Sequence, residues 1–175
     1  MISRVVALAC LLPVVASGQS SSAKAKAALA PFQRLVGVWE GDARVTLLPG
    51  APAQIVRQRE EFALGAGGTT MTVQMEARAQ DGPQKGNVVF QASGTVFYDE
   101  QQNKLRMKAR QAAGDSVEAT IETRPDTLIW ALPMQGGRIR FTIAYSATDW
   151  HEVAHFIRDG VPPFQAMEMH LKKVK

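Results

Sequence analysis

Residues 37–41 read Gly37-Val38-Trp39-Glu40-Gly41, and on this stretch the fold turns. Immediately before it, Leu29, Phe32, Leu35 and Val36 fall on one helical face, and Gly37 ends the turn. The spacing predicts a short helix leading into a first strand that carries Trp39. Beyond it the chain is punctuated by Pro49-Gly50, Gly65-Ala66-Gly67-Gly68, Asp81-Gly82-Pro83, Gly114-Asp115, Pro125-Asp126, Gly136-Gly137 and Asp159-Gly160. Between these marks apolar and polar residues alternate. Val117, Ala119 and Ile121 share one face of their run, as do Ile139, Phe141, Ile143 and Tyr145, and Met167, Met169 and Leu171.

About ten such runs, joined by hairpin-length connections, predict a mainly β protein: an antiparallel barrel with a short N-terminal helix. Closing the meander removes its edge strands, whose unpaired backbone groups would otherwise template aggregation. No strand is followed by a crossover helix, so a parallel sheet is not indicated.

The N-terminus has the features of a secretory leader. Arg4 is a positive start, Val5 to Val15 is apolar but too short to span a bilayer, and Ala16-Ser17-Gly18 offers small residues for cleavage after Gly18. A lipoprotein processed at Cys10 is the alternative, but it would leave only Val5 to Ala9 as the hydrophobic region. Removing residues 1–18 from the 175 leaves 157, enough for one domain with a real core. Residues 19–28 read as a linker or frayed helix and 29–175 as the barrel. The single cysteine leaves with the leader, so no disulfide, thiolate ligand or thiol nucleophile is expected in the mature chain. Loss of Arg4 takes the 20 basic residues to 19 against 16 acidic, and they are dispersed. Nucleic acid is not indicated, because no basic cluster is interleaved with aromatics. No later segment is apolar enough for stable membrane insertion, and the expected location is periplasmic or secreted.

The run Phe32-Gln-Arg-Leu-Val-Gly-Val-Trp-Glu-Gly41, with Asp149-Trp150-His-Glu152 and the closing Met167-Glu168-Met169-His-Leu171-Lys-Lys173, resembles secreted bacterial proteins of the DUF1579 type. These are similar to the lipocalin and nitrobindin relatives of the calycin group. The resemblance implies a calycin-like barrel in which Trp39 closes one end; in those relatives this tryptophan packs against an arginine from the last strand. Lys173 stands where those relatives place arginine, and a lysine cannot stack on an indole as a planar guanidinium does. It also implies a pocket for a small, mostly apolar molecule.

Alternation places Val56, Phe62, Met71, Val73, Met75, Trp130, Phe141 and Tyr145 inside. An apolar pocket needs a few polar groups to orient its ligand, and Gln58 and Glu60 share the face of Val56 and Phe62. An inward Glu60 is costly unless paired, so it reads either as a functional acid or as a sign that this face of the strand points outward. The candidate ligand-binding set is Trp39, Gln58, Glu60, Met75, Trp130, Phe141 and Tyr145.

A rival motif lies at His151-Glu152-Val153-Ala154-His155. On a helix the two histidines would sit one turn apart and share a zinc ion, with Glu152 as general base on a bound water. Asp149 could cap such a helix and Gly160 end it. On a strand the histidines stand about 13 Å apart, which bonds near 2 Å cannot bridge. A strand keeps the spacing of the meander, and its two faces would carry Trp150, Glu152, Ala154 and Phe156, or His151, Val153, His155 and Ile157. An inward His151 or His155 could then ligate haem, as in the nitrobindin relatives. No Gly-x-Ser-x-Gly elbow or phosphate-cradling loop is present. The sequence thus points first to an exported binding protein for a small apolar or amphipathic molecule, without catalysis or cofactor. A zinc-dependent hydrolase and a ligand-free structural barrel are the alternatives.

Overall fold

A computed structural model describes residues 17–175. The expected leader, Cys10 included, therefore lies outside the described residues apart from Ser17 and Gly18. A helix, α1 (Ser17–Leu29), runs through the stretch read as a linker and passes into a 3-10 segment, Ala30–Leu35. Ten strands follow: β1 (Gly37–Val45), β2 (Gln54–Leu64), β3 (Thr70–Ala79), β4 (Val88–Asp99), β5 (Lys104–Gln111), β6 (Ser116–Arg124), β7 (Thr127–Met134), β8 (Gly137–Tyr145), β9 (Asp149–Arg158) and β10 (Val161–Lys173). Each pairs antiparallel with the next, and β10 returns to pair with β1, so the barrel is closed.

The side-chain period of two carries one interior face around the whole circuit. Trp39 stands opposite Glu60 and Lys173, Glu60 opposite Met75, Trp130 opposite Phe141, and Glu152 opposite Ile143 and Met169. The apolar members of the alternating runs are the ones that fall inside, among them Ala119, Ile121, Ile143, Met169 and Leu171. The turn marks work as expected where glycine or Pro-Asp supplies them; Asp126 takes φ 51° between β6 and β7. Two connections carry neither glycine nor proline, residues 100–103 and 146–148. There Asp99 accepts from the Gln102 amide and Ser146 from the Asp149 amide, so short polar side chains replace the turn glycine. β10 begins earlier than the alternation of residues 166–173 indicates, because register shifts on either side of Phe164 absorb Pro162 and Pro163.

The N-terminal segment plugs one end. Leu29, Phe32 and Leu35 are buried against the interior, as their helical spacing predicts. The Tyr145 hydroxyl reaches the Pro31 carbonyl at 3.5 Å, and Arg34 pairs with Asp126 at 2.7 Å. Trp39 is fully enclosed and its indole N–H donates to the Leu35 carbonyl at 2.7 Å. The Lys173 ammonium lies 5.5 Å from the Trp39 ring centroid and donates to the Arg34 carbonyl at 3.1 Å. Lysine thus takes the place of a stacked guanidinium as a point charge over the ring, held there by the end of the plug.

Gly41 is what lets β10 come close. A Cβ built there would stand 1.9 Å from the His170 carbonyl oxygen, a backbone atom that cannot rotate away. Gly41→Ala should therefore cost about 3 kcal/mol, at the upper end of the usual overpacking range. A urea midpoint equal to wild type would show that the β1–β10 seam can widen without loss.

Candidate functional site

The barrel interior is apolar except at one place. Among the described residues, Gln58 and Glu60 on β2 and Glu152 on β9 are the buried polar side chains, each of the two glutamates only 5% exposed. Period two puts Gln58 beside Glu60 on the inner face, and Gln58 Nε2 donates to Glu60 Oε1 at 3.2 Å. The same spacing joins Trp150 to Glu152, with Trp150 Nε1 donating to Glu152 Oε2 at 3.1 Å. Phe62 and Trp150 lie 5.5 Å apart, and Trp39 and Trp150 6.0 Å, so this aromatic group supports the acids from the plugged end.

Burial strips water from both carboxyls and favours their neutral forms. Glu60 is pushed up to about 7, a rise that the Gln58 hydrogen bond partly offsets. Glu152 is pushed up to about 8, first by burial and then by the nearby Glu60 charge, against the Trp150 hydrogen bond. The two form a mutually repelling pair that holds protons near neutrality. Their other oxygens, Glu60 Oε2 and Glu152 Oε1, accept no bond from a described residue.

Away from the plug, Met75, Trp130, Leu132, Phe141, Phe156 and Met167 face inward yet are only half-buried. Trp130 and Phe141 stack with centroids 3.9 Å apart. Around this end Leu47, Leu48, Val88, Phe90, Met134 and Val161 are exposed. Half-buried apolar side chains thus line the end of the barrel away from the plug, on the same inner face as the carboxyl pair.

Of the residues expected to bind ligand, the structure gathers Gln58, Glu60, Met75, Trp130 and Phe141 on this inner wall. Trp39 and Tyr145 face inward too, but at the plugged end, where Trp39 is fully covered and Tyr145 packs against Pro31. Glu152 and Trp150 complete the group. Their signal was the alternation Trp150-x-Glu152-x-Ala154, which the H-E-x-x-H match obscured.

The zinc alternative built on His151, Glu152 and His155 is corrected by conformation. Asp149–Arg158 is a strand, so His151 and His155 are separated by about 13 Å. Glu152 points to the opposite face from both. The haem alternative needed an inward histidine; His151, His155 and His170 all face outward, paired with Ala144, Arg140 and Asp42. His151 instead stacks on His170 across the β9–β10 seam, 4.2 Å between centroids. Glu168 Oε1 lies 3.2 Å and 3.4 Å from their Nε2 atoms, and these hydrogen bonds hold its carboxyl below the usual range. These three residues are the grouping, among those described, that could offer a metal three ligands, on the outer wall.

No family model matches the sequence, and comparison with the curated proteins finds no match. Among solved structures, Rv2717c from M. tuberculosis superposes with a TM-score of 0.61 at 13% identity, covering 85% of this chain and 98% of that one. The S-type phycobiliprotein lyase CPES from Guillardia theta superposes with a TM-score of 0.58 at 8% identity, covering 89% and 97%. With the closed ten-strand antiparallel barrel, these likenesses fit a calycin-like fold. At such identities they speak for the fold alone.

Proposed function

We propose that this chain is an exported binding protein that holds one small amphipathic molecule inside its barrel and catalyses no reaction. The observation that carries the reading is the buried pair of acids, Glu60 and Glu152, in an otherwise apolar interior. An isolated carboxyl in such a place costs several kcal/mol. A barrel that only needed filling would hold leucine there. The half-buried Trp130 and Phe141 offer an apolar wall to a ligand body, and the carboxyls fix its polar end. Export to the periplasm or outside is supported by Arg4, the apolar run Val5 to Val15 and the small residues at 16–18. Kinship with DUF1579-type proteins is supported by the Gly37-Val38-Trp39 and Asp149-Trp150-His151-Glu152 motifs. That a phycobiliprotein lyase shares the barrel accords with a role in holding small molecules.

Native mass spectrometry of the mature protein, purified from its own source without chelator, tests this. One organic adduct per chain is expected, released by denaturation. A bare protein mass, together with tryptophan fluorescence unmoved by apolar amines, alcohols and acids, would make the barrel a structural module.

A further inference from the structure

Resting on the binding reading, we infer that the molecule taken into the barrel is a cationic amphiphile, with an ammonium or amidinium head seated between Glu60 and Glu152. Each carboxyl receives one side-chain donor, from Gln58 and from Trp150, and each leaves a second oxygen that takes no bond from a described residue. Two buried acids that feel each other's charge, each with an oxygen left to accept, are a site for a group that brings several N–H donors and positive charge. A fatty acid would bring a negative charge into the apolar interior with no cation to meet it. An alcohol could satisfy one oxygen only.

Among the described residues none supplies a cation to this place. The other charged groups on the inward face of the barrel strands are Lys173, engaged at the plugged end by the Trp39 ring and the Arg34 carbonyl, and Arg158, exposed where β9 ends at the mouth. Tyr98 and Tyr145 are the inward phenols, also toward the plug. Every remaining strand arginine, lysine and histidine faces outward, and many pair there with acids, as Arg57 and Arg59 do with Glu40. A positive ligand head therefore answers an unpaired demand. Because burial keeps the pair protonated near neutrality, seating the cation displaces a proton into solvent.

The test compares dodecylamine, dodecanol and dodecanoate, below their aggregation concentrations, by tryptophan fluorescence and calorimetry at pH 7.5. Dodecylamine should bind about tenfold or more tightly than dodecanol, with dodecanoate weakest. Its binding heat should vary with the ionisation heat of the buffer, reporting proton release. In the Glu60→Gln, Glu152→Gln double variant the amine advantage over dodecanol should vanish, and a circular dichroism spectrum and cooperative melt like wild type show that the variant is folded. Equal affinity for amine and alcohol in the wild type, or an amine preference that survives in the double variant, overturns the cation assignment and leaves the binding reading standing. No binding of any of the three probes overturns both.

Discussion

The wild-type protein should lose stability steadily as pH rises from about 5 to about 8.5, and Glu152→Gln should lose much less. The sign follows from where the protons are. In the unfolded chain both glutamates ionise near 4.5, whereas in the barrel burial holds Glu60 to about 7 and Glu152 to about 8. Across that window the folded state binds more protons than the unfolded one, so raising pH favours unfolding. The stabilising proton binding is complete below about 4.5 and is lost as pH passes through the folded values. Each tenfold gain in a carboxylate's proton affinity is worth roughly 1.4 kcal/mol, so the pair together accounts for several kcal/mol. Glutamine at 152 keeps a polar group for the Trp150 indole and removes the ionisation that burial and the Glu60 charge raise further, leaving only the Glu60 step. Asp99, Asp149 and Glu168 are shifted downward by their hydrogen bonds, so their contribution has the opposite sign and falls away in acid, outside this window. Urea midpoints at pH 5 and pH 8.5 are the measurement. A wild-type midpoint that does not fall over this interval, or a Glu152→Gln slope as steep as wild type, would mean that the carboxyls are solvated rather than buried.

Trp39→Ala should cost about 3–5 kcal/mol, the range for emptying an aromatic site in a core. Four attachments go at once. The indole is fully enclosed, packs 6.0 Å from Trp150, donates to the Leu35 carbonyl, and receives the Lys173 ammonium over its face. The plug has no other aromatic anchor on β1, so the loss should loosen the Ala30–Leu35 segment along with the core. Amide exchange at Val36 and Val38 would then quicken well beyond the change seen at β5 and β6. A denaturation midpoint like wild type would show that Trp39 does not hold the closed end.

The barrel was legible because its strands are half-buried on one side, which writes the period of two directly into the residues. Ile139, Phe141, Ile143 and Tyr145 face inward just as their alternation demands. Turns were legible only where backbone geometry demanded glycine or proline. At 100–103 and 146–148 side-chain oxygens of Asp99 and Ser146 do that job, and nothing in composition sets those aspartates and serines apart. Glu60 was visible as a misplaced charge on an apolar face. Glu152 was not, since a local motif gave it a different role, and only the pairing of β9 with β8 and β10 decides which face it shows. The nearness of Glu60 to Glu152 depends on how four strands, β2, β1, β10 and β9, lie side by side. No spacing along the chain encodes that. The meeting of His151, His170 and Glu168 is equally a product of register.

The pairing of β1 with β10 also sets an order of events during synthesis. Until residues 161–173 have left the ribosome, the nine earlier strands can form only an open sheet, with β1 bare along one side and β9 along the other. Both edges would offer unpaired backbone to other chains. The final strand hides the two edges together, and it brings Met169 and Leu171 into the interior in the same movement. Most of the sequence must therefore be kept soluble before the structure that protects it can exist, and a chain ending before β10 would be a sheet with two open edges rather than a smaller barrel.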